Sequence, residues 1–533
     1  MTPDFQSALR VGFECLIAWS DLLDEINVFP VADGDTGRNL IISLTPLKSI
    51  ENDRENTVRK LLQQARGNSG NIAARFFSGF LMPGADENFL QGARTGKNLA
   101  RQAVCDPLPG TMLTVFDALA DYLEAENFKR TPEYAADLAG HLEQAVKSTP
   151  GLLPRLKSAG VVDSGALGMY IFFDGFFKRL AGHTDLSQPI TDIFKDALSV
   201  SPSFQEIMVT DHCVDTVIRS NGSGDEKIKK LSAYGQSAVI IAHKDYVKVH
   251  LHTDDPVKAK NLIRTLGEVI QWSDDNIGAQ VKDFQRKPPR NAIHIMTDAA
   301  GSVTREDAGR LGITLLDSYI TVGDICLPET RFSPSDLYRA MRNGVKVSTS
   351  QASVFERHQH YQRVLQQYTK VLYICVGSVF TGNYDVVRQW KQKNDPDDRL
   401  ALIDSTAASG RLGTIAIATA RYSSQSNHPD EVVKFAQSAV AQCSEYLFLD
   451  RLAYLAAGGR LSKSSAFWAD MLHAKPIISP LAEGAKKVAV VKSRKDQVKF
   501  ALNKLADGIR QDSAAFIMLE YSDNYAWVSG TVG

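Results

Sequence analysis

Asp33 and Asp35 stand two positions apart around Gly34, within the run "NVFPVADGDTG" from Asn27 to Gly37. Two close carboxylates repel each other unless a positive charge sits between them. Glycine in the middle lets the backbone turn tightly enough for both side chains to address one spot. Oxygen ligands on a tight loop suit a hard cation. Mg²⁺ usually takes one or two carboxylates and completes its octahedron with water and phosphate oxygens. A calcium EF-hand does not fit: counted from Asp33, the fifth loop position is Gly37 and the twelfth Leu44, where an acidic ligand and a bidentate Glu are required. The same residues also read as a polar surface turn, in which Asp-Gly is common.

A second candidate lies in "VKVHLHTDDP", where His250 and His252 are two apart on a strand and face the same way. Cys213 lies in an earlier strand-like segment, with His212 beside it as an extra candidate. A Cys with two His suits tetrahedral zinc with one position open. The alternative is two hydrogen-bonded strand histidines and a buried thiol. Further on, "TDAAGS", "STSQAS", "VGSVFTGNY", "LIDSTAAS", "YLAAGGRLSKSSAF", "AKPIIS" and "VKSRKD" form an ordered series. Ser/Thr loops at strand ends of an α/β sheet are natural anion sites, although each alone is ordinary turn chemistry.

The elements that position these residues change along the chain. To about residue 192 the pattern is helical: Leu9, Phe13, Leu16, Trp19, Leu23 and Ile26 recur at helical spacing. Asn98–Ala103, Met112–Glu126 and Ala135–Lys147 look similar. Ser, Pro and Asp in Thr191–Phe204 place a boundary there. "SAVIIAHKDYVKVHLHTDDP" reads as two strands around a turn at Lys244–Asp245, with helical segments at Asp225–Leu231 and Pro256–Leu266, a small α+β unit. "RKPPRN", Arg286 to Asn291, reads as a linker. Beyond it short apolar strands alternate with helices, the signature of a parallel α/β sheet. The expected class is multidomain: an all-α helical domain over 1–192, an α+β domain over 200–286 and an α/β domain over 291–533.

Composition bounds the function. With 533 residues, 44% hydrophobic and 23% charged, the chain reads as an ordinary soluble globular protein. A formal net charge of −1 gives no sign of nucleic acid or an anionic membrane as partner. Six scattered cysteines without a C-x-x-C pair fit reduced thiols in a cytoplasm. The apolar stretch Val11–Trp19 is too short to span a bilayer, and Asp4 spoils a basic leader, so no transmembrane segment is expected.

Asn27 to Asn39 resembles, nearly letter for letter, the signature of the DhaL-type (DAK2) kinase domain of bacterial fatty acid kinases. "ARGNSGNI" (Ala65–Ile72), "GTMLTV" (Gly110–Val115) and "VVDSGALG" (Val161–Gly168) resemble its other motifs, with Pro109 standing where a Glu commonly precedes Gly-Thr. The resemblance implies an antiparallel helical barrel that binds ATP, with Mg²⁺ on Asp33 and Asp35 and Asn27 near the metal. Ser69 and Gly70 would meet phosphate through hydroxyl and backbone N–H. Asn39, Thr111 and Asp163 join the nucleotide set. This is not a Walker loop, since no G-x-x-x-x-G-K-[ST] occurs.

The Cys213, His250 and His252 region resembles the middle domain of the same kinases, whose upstream Cys and His-x-His-Thr-Asp motif bind zinc. From residue 292 the loop series resembles the DegV family, the fatty-acid-binding partner of that kinase. The whole therefore looks like a natural fusion of kinase and lipid carrier. In DegV proteins the acyl tail is buried in the α/β domain and hydroxyls hold the carboxylate. Thr349 and Ser378 match those positions, and Arg460 and Arg494 match basic positions near the headgroup. Gly377 stands where the family often has a second Ser. The chain reaches "WVSGTVG" without the family's His-x-Gly-Pro-Gly turn, so either the sequence is cut short or the site differs.

The implied reaction is ATP plus bound fatty acid giving acyl phosphate and ADP. A carboxylic acid with a pKa of about 4–5 is ionised at neutral pH and needs no general base. It needs charge neutralisation and in-line placement, to which Arg460 and Arg494 would contribute. Candidate partners are a second copy of the chain and an acyltransferase that would use the acyl phosphate. Two other readings stay open: a lipid-binding carrier or sensor without catalysis, and a dihydroxyacetone-kinase-like enzyme acting on a small ketose, which would need a separate ketose-binding unit.

Overall fold

Helical periodicity builds the first part of the molecule. Helix α1 (Pro3–Ala18) starts where the Thr2 hydroxyl accepts the Phe5 N–H at 3.4 Å, with Pro3 in the first turn. It is followed by α2 (Thr36–Leu44), α3 (Arg54–Gln64), α4 (Gly67–Phe80), α5 (Met112–Ala125) and α6 (Ser164–Leu180), with further helices between them. Every residue of α6 from Ser164 to Phe177 is buried, which makes it the central helix of the domain. Around it the Phe76 ring stacks on Phe116 at 4.0 Å and meets Phe173 edge-on at 5.7 Å. Among the described residues no strand precedes His212.

This computed structural model describes residues 2–50, 53–84, 88–183, 188–205, 212–219, 236–243, 246–285, 291–449, 475–481, 484–511 and 515–532. Arg460 and the stretch Tyr454–Phe467, the helical segment expected at Asp225–Leu231, the Lys244–Asp245 turn and all but Asn291 of the expected linker lie outside them. The chain divides into two compact units: Met1–Lys287 with Phe355–Gln366, and Pro288–Val354 with Gln367–Gly533. None of the described helices is long and apolar enough to cross a membrane.

The first unit also holds a four-stranded antiparallel sheet. Strands β1 (His212–Arg219), β2 (Gln236–His243), β3 (Tyr246–Thr253) and β4 (Glu268–Asn276) lie in the order β2-β3-β1-β4. Alternation gives β3 two different faces. Val247, Val249 and Leu251 pack with Ala259 and Ile263 of the helix Pro256–Arg264. On the other face Lys248 donates from Nζ to the carbonyls of Leu62, Gln63 and Ala65 at the end of α3. With both faces covered, every residue of β3 is buried. The Thr191–Phe204 segment, polar in composition, is packed rather than loose: Phe194 and Val200 are buried, and Ser201 donates its N–H to Ala159 at 2.8 Å.

In the second unit, β5 (His294–Asp298), β6 (Ile313–Leu316), β10 (Val371–Cys375) and β11 (Leu400–Asp404) form a parallel sheet in the order β11-β10-β5-β6. Its strands are short apolar runs, as expected of a sheet covered on both faces. Strands β7 (Tyr319–Val322), β8 (Ile325–Pro328) and β9 (Val347–Ser350) form one antiparallel sheet, and β12 (Leu447–Phe448), β13 (Lys475–Leu481) and β14 (Gly484–Val491) another. The architecture is thus multidomain: a helical region, a small strand-containing region and an α/β domain with a parallel sheet.

Helix α7 (Val354–Gln367) lies in sequence between β9 and β10, yet its residues 355–366 belong to the first unit. Glu356 pairs with Lys48 at 2.5 Å, and Lys48 also faces Glu14 at 3.8 Å. Arg363 lies 3.6 Å from Asp21, and the Gln366 amide donates to the Gln188 carbonyl at 2.9 Å.

Candidate functional site

The acidic turn sits between the end of the helix Ser20–Glu25 and the start of α2, and its Phe29–Pro30 peptide is cis. Gly34 has φ +66°, and a Cβ there would meet the Phe284 ring at 2.8 Å, so glycine is required twice over. Asp33 and Asp35 face each other. Enclosure by protein raises both carboxyls above their ordinary range; Asp33 is raised further by the charge of Asp35, which Asn39 and Arg38 partly offset at Asp35. Paired carboxylates held in this way form a donor set for a hard cation. Asn27 donates from its amide to Asp33 Oδ1 at 2.6 Å, while its oxygen accepts the hydroxyls of Thr36 (2.9 Å) and Ser164 (3.3 Å). That corrects the expectation of Asn27 as a metal ligand: its oxygen is occupied, and it positions Asp33 instead.

These carboxylates line a cavity of about 410 Å³, together with Asn68 and Ser69 from the first turn of α4, Thr111 before α5 and Asp163 before α6. Thr111 and Asp163 are both N-caps; Asp163 Oδ1 accepts the Ala166 N–H at 2.7 Å. Burial pushes the Asp163 carboxyl up to about 7 despite that hydrogen bond and a second from Gly165. Asn39 hydrogen-bonds Asp35 from α2 rather than lining the cavity. Gly70 is placed otherwise than expected. Its Cα lies against Ser43 and the Asn39 carbonyl, where a Cβ would collide, so it serves close packing of α4 on α2 and is absent from the cavity wall.

The cavity's far wall comes from the sheet. Register sets Cys213 opposite His252 and Asp215 opposite His250 on adjacent strands, so all four side chains share one face. The ligand atoms of Cys213, His250 and His252 lie within 4.8 Å of one another, all three residues buried. Burial and then the neighbouring His250 push His252 down to about 3, leaving a neutral imidazole with a lone pair to give. The Cys213 thiol is raised by burial and by Asp215, Asp35 and Asp33, so it holds its proton until a cation displaces it. His250 Nε2 is buried without a hydrogen-bond partner. The residues fit a soft divalent cation with one position open. His212 points elsewhere, to Asp274 at 2.9 Å.

Sequence reasoning missed Asp215 and Lys248. Asp215 Oδ2 accepts the Gly67 N–H at 3.1 Å and lies 3.3 Å from His250 Nδ1, while Oδ1 accepts the Asn71 amide at 3.2 Å. Burial opposes its charge, but His250, Lys248 and the Gly67 N–H outweigh burial and hold the carboxyl below its ordinary range. The only sequence signal was position: Asp215 follows Cys213 by two, on the same strand face.

In the second unit, Thr349 lies exposed on β9 opposite Ile320. Ser378 follows the C-terminal end of β10 and donates its hydroxyl to Asp404 at 2.5 Å. Arg494 opens the helix Arg494–Gln511 with its guanidinium 5.3 Å from the centre of the Trp527 ring. No described contact joins these residues to one another.

Three family models match the chain in order. Residues 30–178 match the DAK2 domain, residues 210–284 the middle domain of FakA-like fatty acid kinases, and residues 292–530 the family described as uncharacterised protein, DegV family. One chain therefore carries a DAK2 domain, a FakA-like middle domain and a DegV domain, as the motifs led one to expect. An uncharacterized Staphylococcus saprophyticus protein is 30% identical over 327 residues, covering 56% of this chain and 59% of that protein. A Staphylococcus aureus protein is 31% identical over 316 residues, covering 54% and 58%. The chain thus spans less than three-fifths of the length of these relatives. Among solved structures, DegV of Bacillus subtilis, described as a fatty acid binding protein, is similar at 19% identity over 42% of this chain and 79% of that one, with a TM-score of 0.37. A DegV family protein from Thermus thermophilus gives 18%, 40%, 77% and 0.36.

Proposed function

We propose that this chain is a fatty acid kinase in which the ATP-binding and lipid-binding domains share one polypeptide. The observation that carries the reading is the facing pair Asp33 and Asp35, in a cavity that also exposes the first turn of α4. Helix N-termini present N–H groups and a positive dipole end to phosphate. Asn68 and Ser69 would meet phosphate oxygens there, Thr111 and Asp163 would border the nucleotide, and Asn39 would fix Asp35. When bound on Asp33 and Asp35, Mg²⁺ supplies charge neutralisation on the phosphates. Cys213, His250 and His252 would hold zinc on the opposite wall.

The acceptor is the carboxylate of a fatty acid held by the DegV domain, with Thr349 and Ser378 at the headgroup. Arg494, with Arg460, would receive developing charge. The carboxylate oxygen bonds to the γ-phosphorus as the bond to the bridging oxygen of ADP breaks. The match of the middle domain to a fatty acid kinase family supports this acceptor over a ketose. The reading takes the domains as 1–192, 200–286 and 291–533, leaves a second copy and an acyltransferase as partners, and places the enzyme in the cytoplasm, where ATP is available.

The test is incubation of the full chain with labelled ATP, Mg²⁺ and oleate, trapping acyl phosphate as hydroxamate. Hydroxamate should form with wild type and not with Asp35→Ala. Lipid binding without hydroxamate would overturn the kinase reading in favour of a carrier.

A further inference from the structure

The candidate metal centre and the phosphate-facing turn are joined by a single side chain. Asp215 stands between His250 Nδ1 (3.3 Å) and two groups of α4, the Gly67 N–H (3.1 Å) and the Asn71 amide (3.2 Å). Asn71 in turn donates to the Gly67 carbonyl at 2.7 Å, so the first turn of α4 is tied at both its N–H and C=O. Gly67 has φ +62° and no room for a Cβ against the Asn39 amide, so this turn has one conformation to hold or lose. On its other side the imidazole of His250 presents Nε2, buried and without a hydrogen-bond partner. A carboxylate on one ring nitrogen fixes the tautomer and orientation in which the other nitrogen serves as a ligand.

Resting on the kinase reading above, we propose that Asp215 is a positioning residue that couples occupancy of the Cys213–His250–His252 centre to nucleotide affinity at α4. A cation held by His250 locks the ring against Asp215, and Asp215 then holds Gly67 and Asn71 in the geometry that presents Asn68 and Ser69 to phosphate. With the centre stripped, His250 is free to turn, Asp215 follows, and the α4 turn loosens. Coupling between binding sites is reciprocal, so nucleotide must tighten the cation by the same factor.

The experiment uses the full chain, stripped with chelator or reloaded with Zn²⁺, and titrates ADP with Mg²⁺ calorimetrically. Zn²⁺ should tighten ADP roughly tenfold, within the usual range of site–site coupling, and ADP should tighten Zn²⁺ equally. Asp215→Asn should bring both factors within about twofold while the protein still takes up Zn²⁺ by metal analysis, since all three ligand residues remain. Asn71→Ala keeps the carboxylate and His250 and removes one of the two bonds to α4; it should reduce the coupling partially, and it guards against misfolding of the first variant. Equal ADP affinity in stripped and reloaded wild type, no Zn²⁺ uptake, or undiminished coupling in Asp215→Asn would each overturn the proposal. Wild type that binds no ADP in either state would remove the kinase reading, and the coupling with it.

Discussion

Replacing Asp163 by Asn tests whether the cavity wall carries a carboxyl that resists ionisation. Asn is as good an N-cap as Asp, so the hydrogen bond to Ala166 survives while the titratable group is lost. In the folded protein this carboxyl is pushed up to about 7; unfolded it returns to about 3.9. A carboxyl raised on folding stabilises the protein fully below the unfolded value, and that contribution is lost as pH rises to the folded one. The gap of about three units corresponds to ~4 kcal/mol at 1.36 kcal/mol per unit. Water in the 410 Å³ cavity will relieve part of it, leaving about 2–4 kcal/mol. At 2–4 °C per kcal/mol for a domain of this size, Asp163→Asn should melt roughly 5–10 °C above wild type at pH 8. At pH 4 the two should coincide. The assay is calorimetry of the full chain in EDTA from pH 4 to 8, following the transition that Mg²⁺ and ADP shift in wild type. A difference independent of pH, or a variant less stable at pH 8, would refute the reasoning.

Gly67→Ala forces a left-handed φ on a residue with a Cβ and drives it into the Asn39 amide; urea melts should show a loss of about 2–3 kcal/mol, with weakened ADP binding. Lys248→Met leaves the Leu62, Gln63 and Ala65 carbonyls without their ammonium partner and should cost about 2–4 kcal/mol by the same measurement. Ser378→Ala removes a hydroxyl donated to Asp404; stability should change by no more than about 1 kcal/mol, and binding of a fluorescent fatty acid should weaken several-fold.

How much the sequence revealed depends on how far apart the interacting residues lie. Asp33 and Asp35 are legible because motif, turn and ligands occupy one short run. His250 and His252 show their common face by alternation alone, but their pairing with Cys213 depends on strand register, which no local pattern specifies. Asp215 was hidden because its partners Gly67 and Asn71 lie 148 and 144 positions away. Asn27 and Gly70 were given ligand roles because they sit inside a ligand motif; only packing shows that one braces a carboxylate and the other lets two helices touch. Helix α7 was assigned with the strands around it because Glu356, Arg357, Gln359, His360 and Arg363 read as solvent-facing. All five are buried.

Because residues 355–366 of α7 belong to the first unit, the polypeptide passes from one unit to the other three times, near residues 287, 354 and 366. A protease that cuts near residue 287 therefore leaves both halves joined through the later crossings. A fragment ending at residue 287 would lack α7 and strand Lys48 and Glu14 without Glu356, and Asp21 without Arg363. The DAK2 part of this chain is thus not a separable cassette: the unit that contains it is complete only once the ribosome has passed residue 366, well into the DegV region.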